Sequence, residues 1–437
     1  MRARVVEIYQ FARSSFWFLP AVMMLVGVLL FVVTLAVDKS AYLRANSTTL
    51  FYSGGATNAI NLLQTLTGAM VAIAAVVFST LMLVLTLATS QFGHRLIRSF
   101  MRDRANQAVL GIFLTTFVYC MLVFHMVGND PSNQFVPGFS ITVGFGLALF
   151  ATGTLIYFTH HMASLIAAPE VLETVAVELD AAIDNLYPDD GSDDASPPAL
   201  EAGAQDEIRA QGGGYVQAVD IRKLTALAAH QDVVIESRVG YGEYVLPGNL
   251  LAVVHGGALG DDATALASGY YLFGNNRLTG HDLLFATNQV AEIAVRALSP
   301  ALNDPFTAVD CINRMGLSLA RLARRPLPSE AHYHDDRLRL VFPVPGFDAM
   351  LDAAFIPIRN YGRTSVLTSR EMLRVITKLA PLVRRETEWA ALRSHAHTIR
   401  EAARNGLSEE NDKARIETFY EHAIEALNTA RGHGSTS

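Results

Sequence analysis

The chain has 437 residues, of which 51% are hydrophobic and 17% charged, with a formal net charge of −7. That mild negative balance, without a basic cluster beyond the arginines flanking apolar runs, excludes nucleic acid as a partner. Two lone cysteines, Cys120 and Cys311, exclude a disulfide framework and a zinc site built on cysteine spacing.

Four apolar runs come first: Phe16–Val37, Leu66–Thr89, Ala108–Gly128 and Phe139–Met162. Each is near the ~20 residues that a spanning helix needs, and nothing after Ala168 resembles them. The first is too long for a signal-peptide core and no small-x-small cleavage site follows it, so it reads as a retained anchor. Arg2, Arg4 and Arg13 precede it, and Arg95, Arg98, Arg102 and Arg104 lie between the second and third runs. The intervening loops carry only Lys39 and Arg44. The positive-inside rule then places both termini in the cytoplasm of a bacterial inner membrane. Arg95, Arg98, Arg102 and Arg104 are read as topology anchors facing lipid headgroups. The expected first domain is thus a membrane-embedded, all-α bundle of four helices over residues 1–168, with the lipid bilayer as its partner.

The second run stands out. Asn58, Asn61, Thr65, Gly68, Ala72, Ala75, Ser79, Thr86 and Ser90 recur at spacings of three, four or seven, which gathers them on one helix face. A small, mildly polar stripe on a spanning helix either packs closely against another helix or lines a wet path. Spacing alone leaves both open.

The fourth span is expected to continue as a helix through Pro169–Leu186, with Val171, Leu172, Val175, Leu179 and Ile183 as its apolar stripe. Residues 184–211 are acidic and rich in Pro, Ser and Gly, and read as a linker. The intermediate region is therefore 169–211, and a cytoplasmic α+β domain is expected over 212–437. Its first half carries strands Gly214–Val219 and Asp232–Arg238, helix Ile221–His230, and a β-hairpin within Arg238–Leu251 that turns at Pro247-Gly248 between two short strands. Helices dominate the second half: His281–Leu298, Pro305–Arg324, Gly346–Arg359, Thr368–Arg404 and Ser408–Ala430, with one strand at Leu338–Phe342.

Arg296, Ser299, Asn303, Asp304 and Asp310 form a candidate loop site. A competing reading is structural, since Asp before Pro at a helix start is a capping arrangement. His332-x-His334 has metal-capable side chains, but it looks like a solvated loop without a third fixed ligand, so no metal is expected. His395 and His397 are expected at the surface, and His125, His160 and His161 at membrane interfaces. No Gly-x-Ser-x-Gly, phosphate-binding Gly-rich loop or His-Glu-x-x-His is present. No catalytic residue and no cofactor is assigned, and an enzyme ranks last among the functions considered.

The segments Arg296–Met315 (RALSPALNDPFTAVDCINRM), Ser90–Gln107 (SQFGHRLIRSFMRDRANQ) and Arg238–Leu251 (RVGYGEYVLPGNLL) resemble a family of bacterial predicted membrane proteins catalogued as domain of unknown function 2254. The resemblance covers nearly the whole chain and implies no activity, substrate or cofactor. Phe306 departs from it, standing where a small polar residue is expected. The Arg238–Leu251 segment also resembles half of a lipoyl-type β-hammerhead, but the turn Leu246-Pro247-Gly248-Asn249 lacks the lysine that is modified there.

Two functions compete. One is a homo-oligomeric channel or transport protein whose span-two face lines the path, since four spans are few to enclose one. The other is a membrane-anchored sensor or scaffold whose cytoplasmic domain binds a protein or small ligand.

Overall fold

The computed structural model describes residues 16–40, 52–92, 103–128, 136–165, 168–187, 200 and 204–434. It divides into two compact units, residues 1–170 and 171–437.

The first unit contains α1 (Phe18–Lys39), α2 (Ala56–Phe92), α3 (Arg104–Gly128) and α4 (Gly138–Leu165). All four are long and apolar enough to cross a membrane. α3 packs against the other three and is the centre of the bundle. The interior is filled by aliphatic and aromatic side chains: Met70, Val77, Leu81 and Val84 of α2 meet Leu110 and Phe113 of α3 and Phe158 of α4. Nearer the opposite end, Ala59 and Leu63 pack with Tyr119, Val123 and Ile141.

The helix pair α1–α3 approaches closely because of two glycines. A Cβ at Gly27 would lie 2.6 Å from Thr115 Cγ2, and one at Gly111 would lie 2.5 Å from the Met23 sulfur. Lipid gives helices no hydrophobic reason to associate, so this close backbone approach is a main source of cohesion.

The second unit opens with α5 (Ala168–Leu186), all but its first three residues belonging to it. Then follow β1 (Ala204–Arg209), β2 (Gly214–Val219), α6 (Ile221–His230), β3 (Val234–Ser237), β4 (Tyr244–Val245), β5 (Leu250–His255), α7 (Asp261–Ser268) and β6 (Tyr271–Gly274). The remainder is α8 (Leu283–Ala297), α9 (Pro305–Ala323), β7 (Ala331–His334), β8 (Arg337–Val341), α10 (Phe347–Gly362), α11 (Val366–Leu379), α12 (Glu386–Gly406) and α13 (Glu410–Gly434). One sheet has the order β1-β5-β3-β8-β7 and a smaller one β4-β2-β6. Among the described strands, β3 and β8 pair in parallel and the other pairs are antiparallel. Membrane helices followed by a mixed α/β unit is the architecture read from the sequence.

Several details differ. β1 starts inside the stretch whose composition marks it as linker, and pairs with β5. The two strands around Pro247-Gly248 do not form a hairpin: β4 pairs with β2 while β5 pairs with β1 and β3, so the chain changes sheet at that turn. The single helix expected over Thr368–Arg404 is two. Pro381 has no N–H to donate and disfavours helical geometry at Ala380. α12 restarts where Glu388 accepts the Arg384 and Arg385 N–H groups. His332 and His334 lie on strand β7 rather than in a loop. Its turn uses Asp335 and Asp336 at φ of 50° and 57°, the left-handed pair that tight hairpins need.

Candidate functional site

The stripe on α2 points away from its own bundle. Asn58, Asn61, Thr65, Gly68, Ala72, Ala75, Ser79 and Thr86 are exposed, whereas Ala59, Leu63, Met70, Val77, Leu81 and Val84 are buried. At 100° per residue these two sets lie on opposite sides of the helix. A Cβ at Gly68 would meet nothing within 4 Å. The hydroxyls of Thr65 and Thr86 donate to the carbonyls of Asn61 and Met82, four residues back, both at 2.8 Å. Such bonds satisfy the hydroxyl donor inside apolar surroundings and leave an oxygen lone pair facing outward. Within the chain, then, the small-residue seam is α1–α3, not the α2 stripe. The side chain of Ser90 and all of Arg95, Arg98 and Arg102 lie outside the described residues, and Arg104 is exposed in the first turn of α3.

Two acidic side chains of the bundle act as helix caps. Asp38, at the end of α1, accepts the Phe139 N–H (3.0 Å), the Ser140 N–H (2.9 Å) and the Ser140 hydroxyl (2.6 Å). It therefore caps α4 from a hundred residues away, and its negative charge faces the positive end of that helix. The Ser140 carbonyl accepts the Tyr119 hydroxyl at 3.0 Å, and Thr34 lies 2.9 Å from the same hydroxyl. Sequence reasoning named only histidines as ionisable groups near the spans and missed Asp38. A cap supplied from a distant helix leaves no local motif. At the start of α3, Asp103 Oδ1 accepts the Ala105 N–H (2.8 Å) while Oδ2 pairs with His161 Nε2 at 2.6 Å. His161 is thus tied to a second helix. Asn106, in the first turn of α3, is fully buried, and neither of its amide atoms has a hydrogen-bond partner among the described residues.

In the second unit the candidate loop does not assemble as a cluster. Asp304 is the N-cap of α9: Oδ1 accepts the Phe306 and Thr307 N–H groups (both 3.1 Å) and Oδ2 accepts the Thr307 hydroxyl (2.6 Å). The Thr307 hydroxyl holds the Asp304 carboxyl below its ordinary pKa. Asn303 takes φ 48°, reversing the chain before the helix. Arg296 pairs along α8 with Glu292 at 3.0 Å, the Ser299 carbonyl receives the Leu302 and Asn303 N–H groups, and Asp310 is exposed.

The Arg238–Leu251 segment is built around one close approach. Gly242 sits at φ 80°, and a Cβ there would lie 1.8 Å from Asp282 Oδ2. Asp282 is buried, holds Arg277 through two bonds of 2.7 and 2.8 Å, and caps α8 through the Phe285 N–H. The glycine admits this charged pair beneath the turn.

His395 corrects the sequence reading most sharply. It is buried, with Nε2 at 2.8 Å from Asp352 and its ring edge-on to Phe355. Burial pushes its pKa below the ordinary histidine value, an effect that Asp352 partly offsets. His397 is exposed and meets the Tyr420 hydroxyl at 3.1 Å. Among the described residues no three His, Cys, Asp or Glu side chains gather as metal ligands.

A family model described as a predicted membrane protein of domain of unknown function 2254 matches residues 13–378. The chain belongs to that family. Uncharacterized protein Rv1290c of Mycobacterium tuberculosis and uncharacterized protein Mb1321c of Mycobacterium bovis are each 31% identical to it over 378 residues, covering 84% of this chain and 72% of theirs. No solved structure matches. The domain of unknown function 2254 match takes in all four spans, both sheets and the Asp304 cap, and ends within α11. The motif segments behind the resemblance now have structural roles: a helix cap at Asp304 and a buried ion pair beneath Gly242.

Proposed function

We propose that this membrane protein is a homo-oligomeric channel or transport protein, with the outward face of α2 bordering the path. One observation carries the reading: the small and polar residues of α2 lie opposite its buried face. Lipid rewards large apolar side chains there, and Asn58, Asn61, Thr65 and Ser79 gain nothing from it. The interior of the four-helix bundle is filled with apolar side chains, so a path requires several copies around an axis. Selectivity would then come from hydroxyls, amides and ring geometry. The residue distribution favours an inner-membrane protein with both termini cytoplasmic.

Purified protein in planar bilayers is expected to give discrete conductance steps, altered by Ser79→Leu. Silence across varied pH, salt and voltage, or steps insensitive to that change, would overturn the reading. In parallel, Ser79→Cys should cross-link between copies under oxidation, whereas Leu81→Cys on the buried face should not.

A second reading, a membrane-anchored sensor or scaffold whose C-terminal unit binds a protein or small ligand, is favoured by the strapping of α5 into that unit. Asp180 and Asp184 are held by Arg314, Arg321 and Arg325, which suits a helix that reports on the state of the unit. Absence of conductance together with ligand-dependent protection of α5 from hydrogen exchange would favour it.

A further inference from the structure

Within the membrane unit α3 and α4 lie antiparallel. Towards one end the Cys120 thiol meets the Gly144 carbonyl at 4.0 Å, and at the other Asp103 Oδ2 meets His161 Nε2 at 2.6 Å. Residue numbers therefore rise along α3 as they fall along α4. Asn106, three residues in from Asp103, stands level with Phe158, three residues in from His161. Phe158 belongs to the buried apolar cluster that also holds Val109, Leu110 and Met162. Hydrocarbon thus backs the Asn106 amide on its inner side. Residues three apart are neighbours on one helix face, so its outer side faces the Asp103–His161 pair.

That amide is fully buried, and neither its oxygen nor its nitrogen has a hydrogen-bond partner among the described residues. Threonines of the same bundle are different: the Thr116, Thr152 and Thr159 hydroxyls donate to carbonyls four residues back. A primary amide offers two N–H donors and a carbonyl acceptor. Buried without partners, it forfeits the hydrogen bonds that water gives it, and a bilayer supplies no substitute. Capping does not account for it, because Asp103 already accepts the Ala105 N–H at 2.8 Å. The neighbouring pair is only part-buried, with the His161 and Asp103 side chains 23% and 19% exposed, so the site is open at that end.

We propose that Asn106, Asp103 and His161 form a hydrated proton-binding site at this end of the bundle. Water between the amide and the pair bonds the Asn106 N–H and carbonyl groups, and the pair supplies the remaining contacts among the about two to four that a buried water makes. With Nε2–H donated to the Asp103 carboxylate, the pair carries one negative charge. A proton passed through the water to the imidazole makes the pair neutral and leaves the water unchanged. Among the described residues the titratable groups around it are Tyr157, stacked on the His161 ring at 5.6 Å, His160 and the exposed Arg104. α1 runs parallel to α3, with Met23 against Gly111 and Gly27 against Thr115, which puts Asp38 and Lys39 at the far end. α2 has no titratable residue. An ionisable pair at a span is a functional site by default, and this one stands whether or not the α2 face borders a path.

The test is proton-detected solid-state NMR on the full chain, isotope-labelled at asparagine nitrogen, in phosphatidylcholine proteoliposomes. The side-chain amide signal lost in Asn106→Leu identifies the residue, and Asn106→Ser gives the same assignment if leucine prevents folding. Water magnetisation should transfer to that signal. Its chemical shift should move between about pH 8 and about pH 5 in the unaltered protein and stay fixed in His161→Gln. Absence of transfer from water at both pH values would overturn the proposal, since the amide would then be dry. A signal that does not move with pH would overturn the proton site. So would a movement undiminished in His161→Gln, which would place the titrating group elsewhere.

Discussion

The two units bury polarity in different ways. In the membrane unit, the acidic side chains Asp38 and Asp103 cap helix ends, on the start of α4 and the start of α3. Between those ends the bundle relies on close approach at Gly27 and Gly111. The C-terminal unit instead threads charge through its body, with Arg325, Asp282, Glu371, Glu388 and His395 all largely buried and all paired. Water outside the second unit supplies a hydrophobic drive that tolerates desolvated pairs. Lipid outside the first supplies none, so that unit depends on steric fit and on caps that leave no backbone group bare.

The contrast can be broken most forcefully at Gly242. A valine there combines a clash on buried Asp282 with a left-handed φ, and should cost roughly 4 kcal/mol or more, read as loss of the cooperative thermal transition of the C-terminal unit. A transition unchanged in Gly242→Val would mean that Asp282 is not fixed. Arg325→Ala should come next, at about 2–3 kcal/mol, by leaving the last carbonyls of α5 without a donor. Chemical denaturation would reveal it, and full retention of stability would show that Arg321 alone holds Asp184.

In the membrane unit, Gly27→Val should cost about 2 kcal/mol through overpacking against Thr115, whereas the same change at Gly68 should leave the thermal stability of detergent-solubilised protein within ~0.5 kcal/mol. Equal losses at the two glycines would erase the distinction between seam and outward face. Asp38→Ala removes a charged cap and should cost about 1–2 kcal/mol, measurable by the same melt.

The smallest effect concerns pH. His395 titrates below its unfolded value, so both states are neutral above that value and stability is at its full level there. As pH falls below about 6.5 the unfolded chain takes up the proton first, and stability drops until the folded pKa is passed. Melts at pH 7.5 and 5.5 should show a drop that shrinks in His395→Gln, and an undiminished drop would assign the acid sensitivity elsewhere.

Which features could be read from the sequence follows from range. Three of the spans, β2, α6 and α9 are set by local periodicity and by caps such as Asp304, and their bounds lie close to those observed, whereas α2 starts ten residues before the Leu66 read from hydropathy, because Asn58, Asn61 and Gln64 dilute the apolar run there. Features made by distant partners left no such trace. β1 looks like linker because its pairing partner β5 lies some 45 residues on. Asp38 and His395 look unremarkable because their partners Ser140 and Asp352 lie 102 and 43 residues away. The α2 stripe was visible, but only the bundle shows that it faces outward.

The strap of α5 to α9 has a consequence in time. Asp180 and Arg314 are 134 residues apart in the chain, so a ribosome adding 5–20 residues per second finishes the first roughly 7 to 27 seconds before the second. Throughout that interval Asp180 and Asp184 have been made, and the arginines that will pair with them have not. The nascent protein therefore passes through a stage with its membrane helices synthesised and a sticky amphipathic segment directly behind them.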